Sequence, residues 1–270
     1  MTPEQFNFIK DMLKERSGLI LGDDKGYLLE SRLTPVARRH ELGGLDELVA
    51  MVMSRPTEAL MVDITEAMTT NESFFFRDQK PFDLFKDHVL PHMIEHRGAA
   101  KSFRIWSAAS SSGQEPYSLS MILKEEAAKL PGWRHEIVGT DLSSEVVKKA
   151  QSGVYTQFEV QRGMPITLLV KYFAKQEDQW QINQEIRNMV QFKIFNLLHD
   201  LRPLGKFDVV FCRNVLIYFD QPTKAAILER IAELMPDDGF LFLGGAETVL
   251  GITEKFTPVP GQRGIYKRNL

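Results

Sequence analysis

Three groups of residues in this chain have the types and spacings that handle a polar small molecule. The first is Ser107 to Gly113, SAASSSG, a tract of small residues. It follows the apolar run Phe103-Arg104-Ile105-Trp106 and leads into Glu115-Pro116, which opens a helix. Strand, small-residue loop and helix start bring backbone N–H groups close to a ligand in α/β folds. The tract is not G-x-G-x-x-G, and taken alone it reads more readily as an ordinary βα turn than as a cofactor loop. The second is Asp141, which ends the run His135–Asp141 and lies ~30 residues past the loop. Its two oxygens match a vicinal diol such as that of ribose. A helix N-cap is equally compatible with Asp141, and both readings stay open. The third is Arg213-Asn214, placed directly after the apolar run Phe207–Cys212.

These groups need a sheet to align them, and the spacing of apolar runs supplies one. Strand patterns at 103–106, 135–141, 190–196, 207–212 and 240–243 alternate with helical patterns, which implies an α/β fold with a mainly parallel, doubly wound sheet. The near-continuous apolar run at 207–212 suits a central strand covered on both faces. Gly264–Lys267 is expected as a last, antiparallel strand. In such a sheet ligands lie across the carboxyl ends of the strands, where Ser107–Gly113, Asp141, Asn196 and Arg213-Asn214 would converge. Residues 152–190 break the rhythm and predict an inserted short helix and small antiparallel hairpin.

The first 70 residues carry no strand pattern. Thr2-Pro3-Glu4 starts a helix that Ser17-Gly18 ends. A second helix runs from Asp23 or Asp24 through Leu33, with Pro35 expected to kink or divide it. Two more follow from Leu45 and from Pro56-Thr57. On the second helix Lys25, Arg32 and Arg39 recur every seven residues, with Arg38 beside them. A solvated face is the plainer reading, and a docking surface for an acidic helix is the alternative. The domain boundaries expected are a helical domain at 1–70, a linker at 71–80 and an α/β domain at 81–270 with its insertion at about 154–190. The linker, NESFFFRDQK from Asn71 to Lys80, holds three consecutive phenylalanines between polar groups. Burying each is worth roughly 1.5–3 kcal/mol, so it is either a joining segment packed on the core or a lid facing a ligand.

Composition narrows the class. A net charge of −3 gives no reason to expect nucleic acid as a partner. A single cysteine, Cys212, precludes an internal disulfide and fits a reducing compartment. No signal-peptide core is present in MTPEQFNFIK, and no apolar run approaches the ~20 residues needed to cross a bilayer. A soluble cytoplasmic protein without membrane insertion is expected. His88, His92 and His96 have helical spacing, but Pro91 interrupts them and no acid is placed as an evident further ligand, so no metal site is expected. Walker, G-x-S-x-G and H-E-x-x-H motifs are missing. A nucleoside-binding sheet with a helical appendix remains, and methyl transfer from S-adenosylmethionine suits it.

The segments TTNESFFFRD, RIWSAASSSGQEPYSLSM, GTDLSSEVVKKAQSGVY, FNLL and FDVVFCRNVLIYFD together resemble the chemotaxis receptor methyltransferase family, CheR, in the family's order and over nearly the whole chain. The resemblance implies a Rossmann-like S-adenosylmethionine-dependent methyltransferase domain with an inserted small antiparallel β-subdomain, preceded by a small all-helical domain. It implies esterification of glutamate side chains on the cytoplasmic helical bundle of methyl-accepting chemoreceptors, with S-adenosylhomocysteine as product. Carried over by position, the cofactor contacts are Asn71, Ser73, Arg77, Glu115, Asp141, Asn196, Leu197, Arg213 and Asn214. Arg77 and Tyr218 are implied as the catalytic pair near the transferred methyl, and Lys25, Arg32, Arg38 and Arg39 as receptor-docking residues. Ser73 stands where better-known members carry threonine and keeps the hydroxyl. The hairpin near Ala174–Gln181 is short and lacks the glycines of the version that grips a C-terminal receptor pentapeptide, which favours an enzyme independent of that tether. A non-catalytic S-adenosylmethionine-binding scaffold or sensor, and a methyltransferase for another carboxylate protein, are the alternatives.

Overall fold

The computed structural model describes residues 1–269, which divide into two compact units. One comprises Met1–Thr70 with Tyr218–Thr223, the other Asn71–Ile217 with Lys224 onward. In the first, Thr2 and Gln5 close a capping box at the start of α1 (Pro3–Ser17), and Gly18 ends it in the left-handed conformation at φ 77°. After the short 3-10 turn Asp23–Lys25 come α2 (Gly26–Arg39), α3 (Leu45–Ser54) and α4 (Glu58–Met68), the last capped by Thr57. Their apolar stripes bury Ile9, Leu13, Leu29, Leu33, Leu48, Val52 and Ile64 in one core.

Two sequence expectations for this unit are corrected. Pro35 does not divide α2, which runs through it. Pro35 lies on the exposed face, so water can satisfy the carbonyl of Ser31 that loses its N–H partner. Nor is the basic row one solvated stripe. Arg32 donates to the carbonyls of Met68 (2.7 Å) and Thr69 (3.1 Å) and to Thr70 Oγ1, so it completes the C-terminus of α4, where a cation is favoured. Lys25 belongs to the 3-10 turn and pairs with Asp24 at 3.2 Å, which raises its pKa; Arg38 and Arg39 are exposed.

In the second unit ten strands form two sheets: β1 (Ser102–Ala108), β2 (Arg134–Asp141), β3 (Val154–Thr156), β4 (Phe173–Gln176), β5 (Gln179–Ile182), β6 (Val190–Ile194), β7 (Val209–Cys212), β8 (Phe240–Leu243), β9 (Phe256–Pro258) and β10 (Ile265–Arg268). The larger sheet has the order β6-β2-β1-β7-β8-β10-β9, parallel from β6 to β8 and closed by antiparallel β10 and β9. Every residue of β7 and β8 is buried, as a central parallel strand requires. The order reverses at β1, whose neighbours are β2 and β7. Ala108 lies opposite both Thr140 and Cys212, and Asp141 opposite Ile194, so Ala109, Asp141, Phe195 and Arg213 leave the sheet along one edge. That edge is the topological switch point.

The smaller sheet is β3-β5-β4, antiparallel. Ahead of its hairpin stand two helices, Gln157–Gln161 and Ile166–Tyr172, where the sequence predicted one. The first is set by a capping box between Thr156 and Glu159, a signature concealed in a polar stretch. Pro91 does not break the helical run from Lys80 to His96 either. A π-turn at Phe85–Val89 precedes it, with Leu90 N–H donating to Phe85 O, and places Pro91 in the first turn of Leu90–His96. Among the described residues no helix is long and apolar enough to cross a membrane.

At the amino edge of the sheet Arg97 donates to Asp208 (2.9 Å) and to both oxygens of Asp238, and Asp208 accepts from Arg104 N–H. The Arg97 guanidinium holds the Asp238 carboxyl down to about 2. Since an unfolded aspartate titrates near 3.9, this pair stabilises the fold fully above about pH 4, and its contribution is lost as pH falls through about 2. Urea unfolding of Arg97→Gln is therefore expected to lose more stability against wild type at pH 7 than at pH 2. An equal loss at both pH values would show that the pair is not the source.

Candidate active site

The loop after β1 turns by alternation. Ala109 (φ 54°), Ser111 (φ 50°) and Gly113 (φ 92°) are left-handed, and the helix Gln114–Glu125 begins at once. This geometry brings Ser111 N–H to 2.8 Å from Asp141 Oδ2, while Ser143 N–H reaches Oδ1 at 3.0 Å. Asp141 is buried, so its carboxylate is fixed by backbone donors rather than by solvent. Ser111 Oγ in turn donates to the carbonyl of Asn71 at 2.6 Å, tying the start of the 71–80 segment to the loop.

Glu115, in the first turn of that helix, accepts from Ser107 Oγ (2.8 Å) and from Arg213 Nη1 (2.8 Å). The Arg213 side chain is 1% exposed. Its Nη2 donates to Arg77 O (3.0 Å) and Asp78 Oδ2 (2.8 Å), while the buried Nε has no hydrogen-bond partner among the described residues. Glu115 and Arg213, read from the sequence as separate contacts, are thus one ion pair. A buried guanidinium needs this answer, because desolvating an isolated charge costs several kcal/mol.

Two of the three phenylalanines are core. Phe75 meets Tyr155 and Phe173 edge-on at centroid distances of 5.0 and 5.5 Å, and Phe76 N–H donates to Ser118 Oγ at 3.0 Å. Phe74 is half-buried, with Arg162 at 4.4 Å and Arg77 at 5.5 Å from its ring centre. Arg162 also pairs with Glu72 at 2.7 Å, and Arg77 Nη1 donates to Glu72 O at 2.9 Å. The segment is therefore packed on the core through two rings and presents its polar residues beside the third. Gly163 shows how closely the insertion seats it: a Cβ there would lie 2.1 Å from Phe75 O, at a backbone φ of 81°.

Asn196 follows β6, its Oδ1 accepting from Leu198 N–H (2.9 Å), and the neighbouring Phe195 N–H donates to Asp141 O at 2.8 Å. Leu197 is buried and Ser73 half-buried. Asn214 is left-handed at φ 59°, and its N–H donates to Glu247 at 2.8 Å. Tyr218 is half-buried and clusters with the N-terminal helices, where its carbonyl accepts from Ile20 N–H at 2.9 Å. Nearby, Asp220 is held to about 2 by hydrogen bonds from Thr223 and from Lys14, the latter at 2.9 Å. The fold thus links Asn71 with Asp141 through Ser111, links Glu115 and the Arg77 carbonyl through Arg213, and aligns Asn196 and Asn214 on the same sheet edge, while Tyr218 and the basic row belong to the other unit. Sequence reasoning did not single out Asp78, Arg162 or Glu247. Asp78 adjoins Arg77 in the sequence, but its link to Arg213 spans 135 residues.

The donors and acceptors fit a ribosyl sulfonium amino acid. Asp141 and Glu115 supply carboxylate oxygens and Arg77 a guanidinium, the kinds of group that bind a diol, an ammonium and a carboxylate. Removing Arg213 would strand Glu115 in a buried site. Arg213→Ala is expected to cost about 3–5 kcal/mol in chemical unfolding of the second unit, and a change below ~1 kcal/mol would show that the pair is not a brace.

A family model described as the SAM binding domain of CheR methyltransferase matches residues 71–265, and one described as the CheR all-alpha domain matches residues 4–69. Among curated proteins, the chemotaxis protein methyltransferase Cher2 of Pseudomonas putida is 39% identical over 96% of this chain and 96% of its own. Chemotaxis protein methyltransferase 1 of Pseudomonas aeruginosa is 40% identical over 97% of each chain. The chemotaxis protein methyltransferase of Escherichia coli is 33% identical over 95% of this chain and 88% of its own.

Proposed function

The chain belongs to the CheR methyltransferase family, a family of S-adenosylmethionine-dependent enzymes, and from that premise we propose that it methylates glutamate side chains on the cytoplasmic helices of chemoreceptors. The products would be glutamyl methyl esters and S-adenosylhomocysteine, and the cell compartment the cytoplasm. The observation that carries the donor-binding half of this reading is the Asp141 carboxylate, oriented by Ser111 and Ser143 N–H groups at the switch point. In this reading Asp141 holds the ribose diol, Asn196 and Leu197 flank the adenine, and Glu115, oriented by Arg213, accepts from the methionine amino group. Asn71, Ser73 and Asn214 complete the wall, and Arg77 pairs with the methionine carboxylate. Residues 71–80 thus act as part of the site as well as a connection between domains.

The donor supplies an electrophilic methyl whose leaving group is a neutral thioether. A glutamate carboxylate with an ordinary pKa near 4.3 is already ionised at pH 7, so the protein needs no general base. Its contribution is to align the attacking oxygen with the methyl and to strip water from it. Arg77 and Tyr218 are assigned that alignment. Among the basic residues, exposed Arg38 and Arg39 are assigned to face an acidic receptor helix, with Lys25 beside them paired to Asp24, whereas Arg32 holds α4 together.

Labelled-methyl transfer to isolated chemoreceptor cytoplasmic fragments tests the reaction, with Glu-to-Gln variants of the acceptor sites as controls. Label is expected in ester linkage, lost with the acceptor glutamates. Asp141→Ala should weaken cofactor affinity roughly tenfold or more, and a change within twofold would remove the ribose assignment. Tyr218→Phe should lower turnover on the receptor fragment, and full turnover would sink its alignment role.

The β4–β5 hairpin turns through Glu177-Asp178 alone, with Glu177 at φ 52°. Such a short hairpin supports action without a C-terminal pentapeptide tether. Isothermal titration with the pentapeptide should accordingly show no tight binding; a submicromolar complex would contradict this.

A further inference from the structure

Glu247 lies outside every motif discussed above, yet its carboxylate accepts four backbone N–H groups at the carboxyl edge of the sheet. Oε2 accepts from Gly244 N–H (2.6 Å) and Asn214 N–H (2.8 Å), and Oε1 accepts from Val215 N–H (3.0 Å) and Ile217 N–H (3.3 Å). Consecutive N–H groups that converge in this way form an anion-binding nest. Here the anion is the protein's own. Three of the four donors belong to the loop that leaves β7 with Arg213 and Asn214 and continues into Tyr218.

The surrounding backbone is shaped around this contact. Asn214 is held left-handed at φ 59°, a conformation that costs a non-glycine residue stability unless something fixes it. Gly244, which ends β8's run, has no room for a side chain: a Cβ would lie 2.7 Å from Glu247 Oε2, 2.8 Å from Asn214 Nδ2 and 2.9 Å from Asn214 N. The charge also registers locally, since Glu247 and Glu115 add to the burial that pushes the Cys212 thiol up. Glu247 and Glu115 therefore stand near the end of β7, one gripping the backbone after it and the other the Arg213 side chain.

We propose that Glu247 is a positioning residue of the methyl-transfer site, whose carboxylate clamps the 214–217 backbone and so sets the placement of Asn214. This rests on the assignment of Asn214 to the site. The substitution Glu247→Gln keeps the side-chain volume but replaces one acceptor oxygen with an amide NH2 facing N–H donors. Expected are a loss of roughly tenfold or more in kcat/KM for S-adenosylmethionine and weaker S-adenosylhomocysteine binding. KM for the receptor fragment and the urea unfolding midpoint should stay near wild type. Gly244→Ala, which crowds the same contact from the strand side, should lower kcat/KM likewise while also lowering the urea midpoint. In Glu247→Ala, added formate should restore part of the lost activity, whereas neutral formamide should not.

A kcat/KM for Glu247→Gln within twofold of wild type would overturn the proposal, as would a loss that matches the unfolded fraction. Formate acting no better than formamide on folded Glu247→Ala would do the same. Wild-type enzyme assayed alongside separates the two levels: if it transfers no methyl to the receptor fragment, the substrate assignment fails, while S-adenosylhomocysteine binding still reports on Glu247.

Discussion

One buried positive charge organises the second unit. Arg213 emerges from the end of β7 with its side chain 1% exposed, and a guanidinium in that position must be answered by acceptors. Glu115 answers from the helix after β1, Asp78 and the Arg77 carbonyl from the segment that precedes the sheet. Ser107 then fixes the second oxygen of Glu115. Three stretches far apart in sequence are drawn to one point by a single desolvated cation. Because replacing such a pair by apolar groups is often neutral or stabilising, its retention at the switch point is better explained by what it positions than by stability.

The carboxylates along the edge follow one plan. Asp141 is held by two backbone N–H groups and Glu247 by four. Fixed donors keep each acid in place without solvent, so little reorganisation is left for the moment of binding. An edge built from oriented acceptors suits a cationic sulfonium. It does not suit a carboxylate nucleophile, which needs the opposite sign. Positive charge stands at Phe74, where Arg77 and Arg162 lie against the ring and Arg162 also pairs with Glu72. When an anionic oxygen attacks a sulfonium methyl, opposite charges cancel in the transition state, and a dry site favours the cancellation.

What could be read in the sequence was what is local. Apolar runs located β1, β2, β6, β7 and β8, and the capping signals at Thr2, Gly18 and Thr57 fixed helix ends that the structure shares. The helical domain, the mainly parallel sheet and the small antiparallel sheet all followed from periodicity together with family resemblance. Pro35 and Pro91 were misjudged because their cost depends on whether water or a π-turn relieves the missing N–H. Direction was equally hidden. Arg32 recurs with the basic row, but its guanidinium serves carbonyls 36 and 37 residues away. Strand β9 is three residues long and ends in proline, too short for alternation to show.

Backbone strain was the least visible property and the most concentrated. Of nine non-glycine residues with positive φ among the described residues, six lie in the segments that meet at the site: Phe76, Asp78, Gln79, Ala109, Ser111 and Asn214. Each forgoes roughly 1–2 kcal/mol relative to a relaxed conformation, and no propensity scale assigns Phe, Ala or Ser to such a place. Specific bonds hold them there. Ser111 N–H is fixed by Asp141, Asn214 N–H by Glu247, the Asp78 carboxylate by Arg213, and Gln79 N–H by Phe76 O at 2.8 Å. The long-range acid–amide and acid–guanidinium contacts are thus the means by which an unfavourable backbone is kept curled at the sheet edge. Loosening an acid–amide contact at Asp141 or Glu247 releases strain locally, so these are the places in this unit where function should fail ahead of stability.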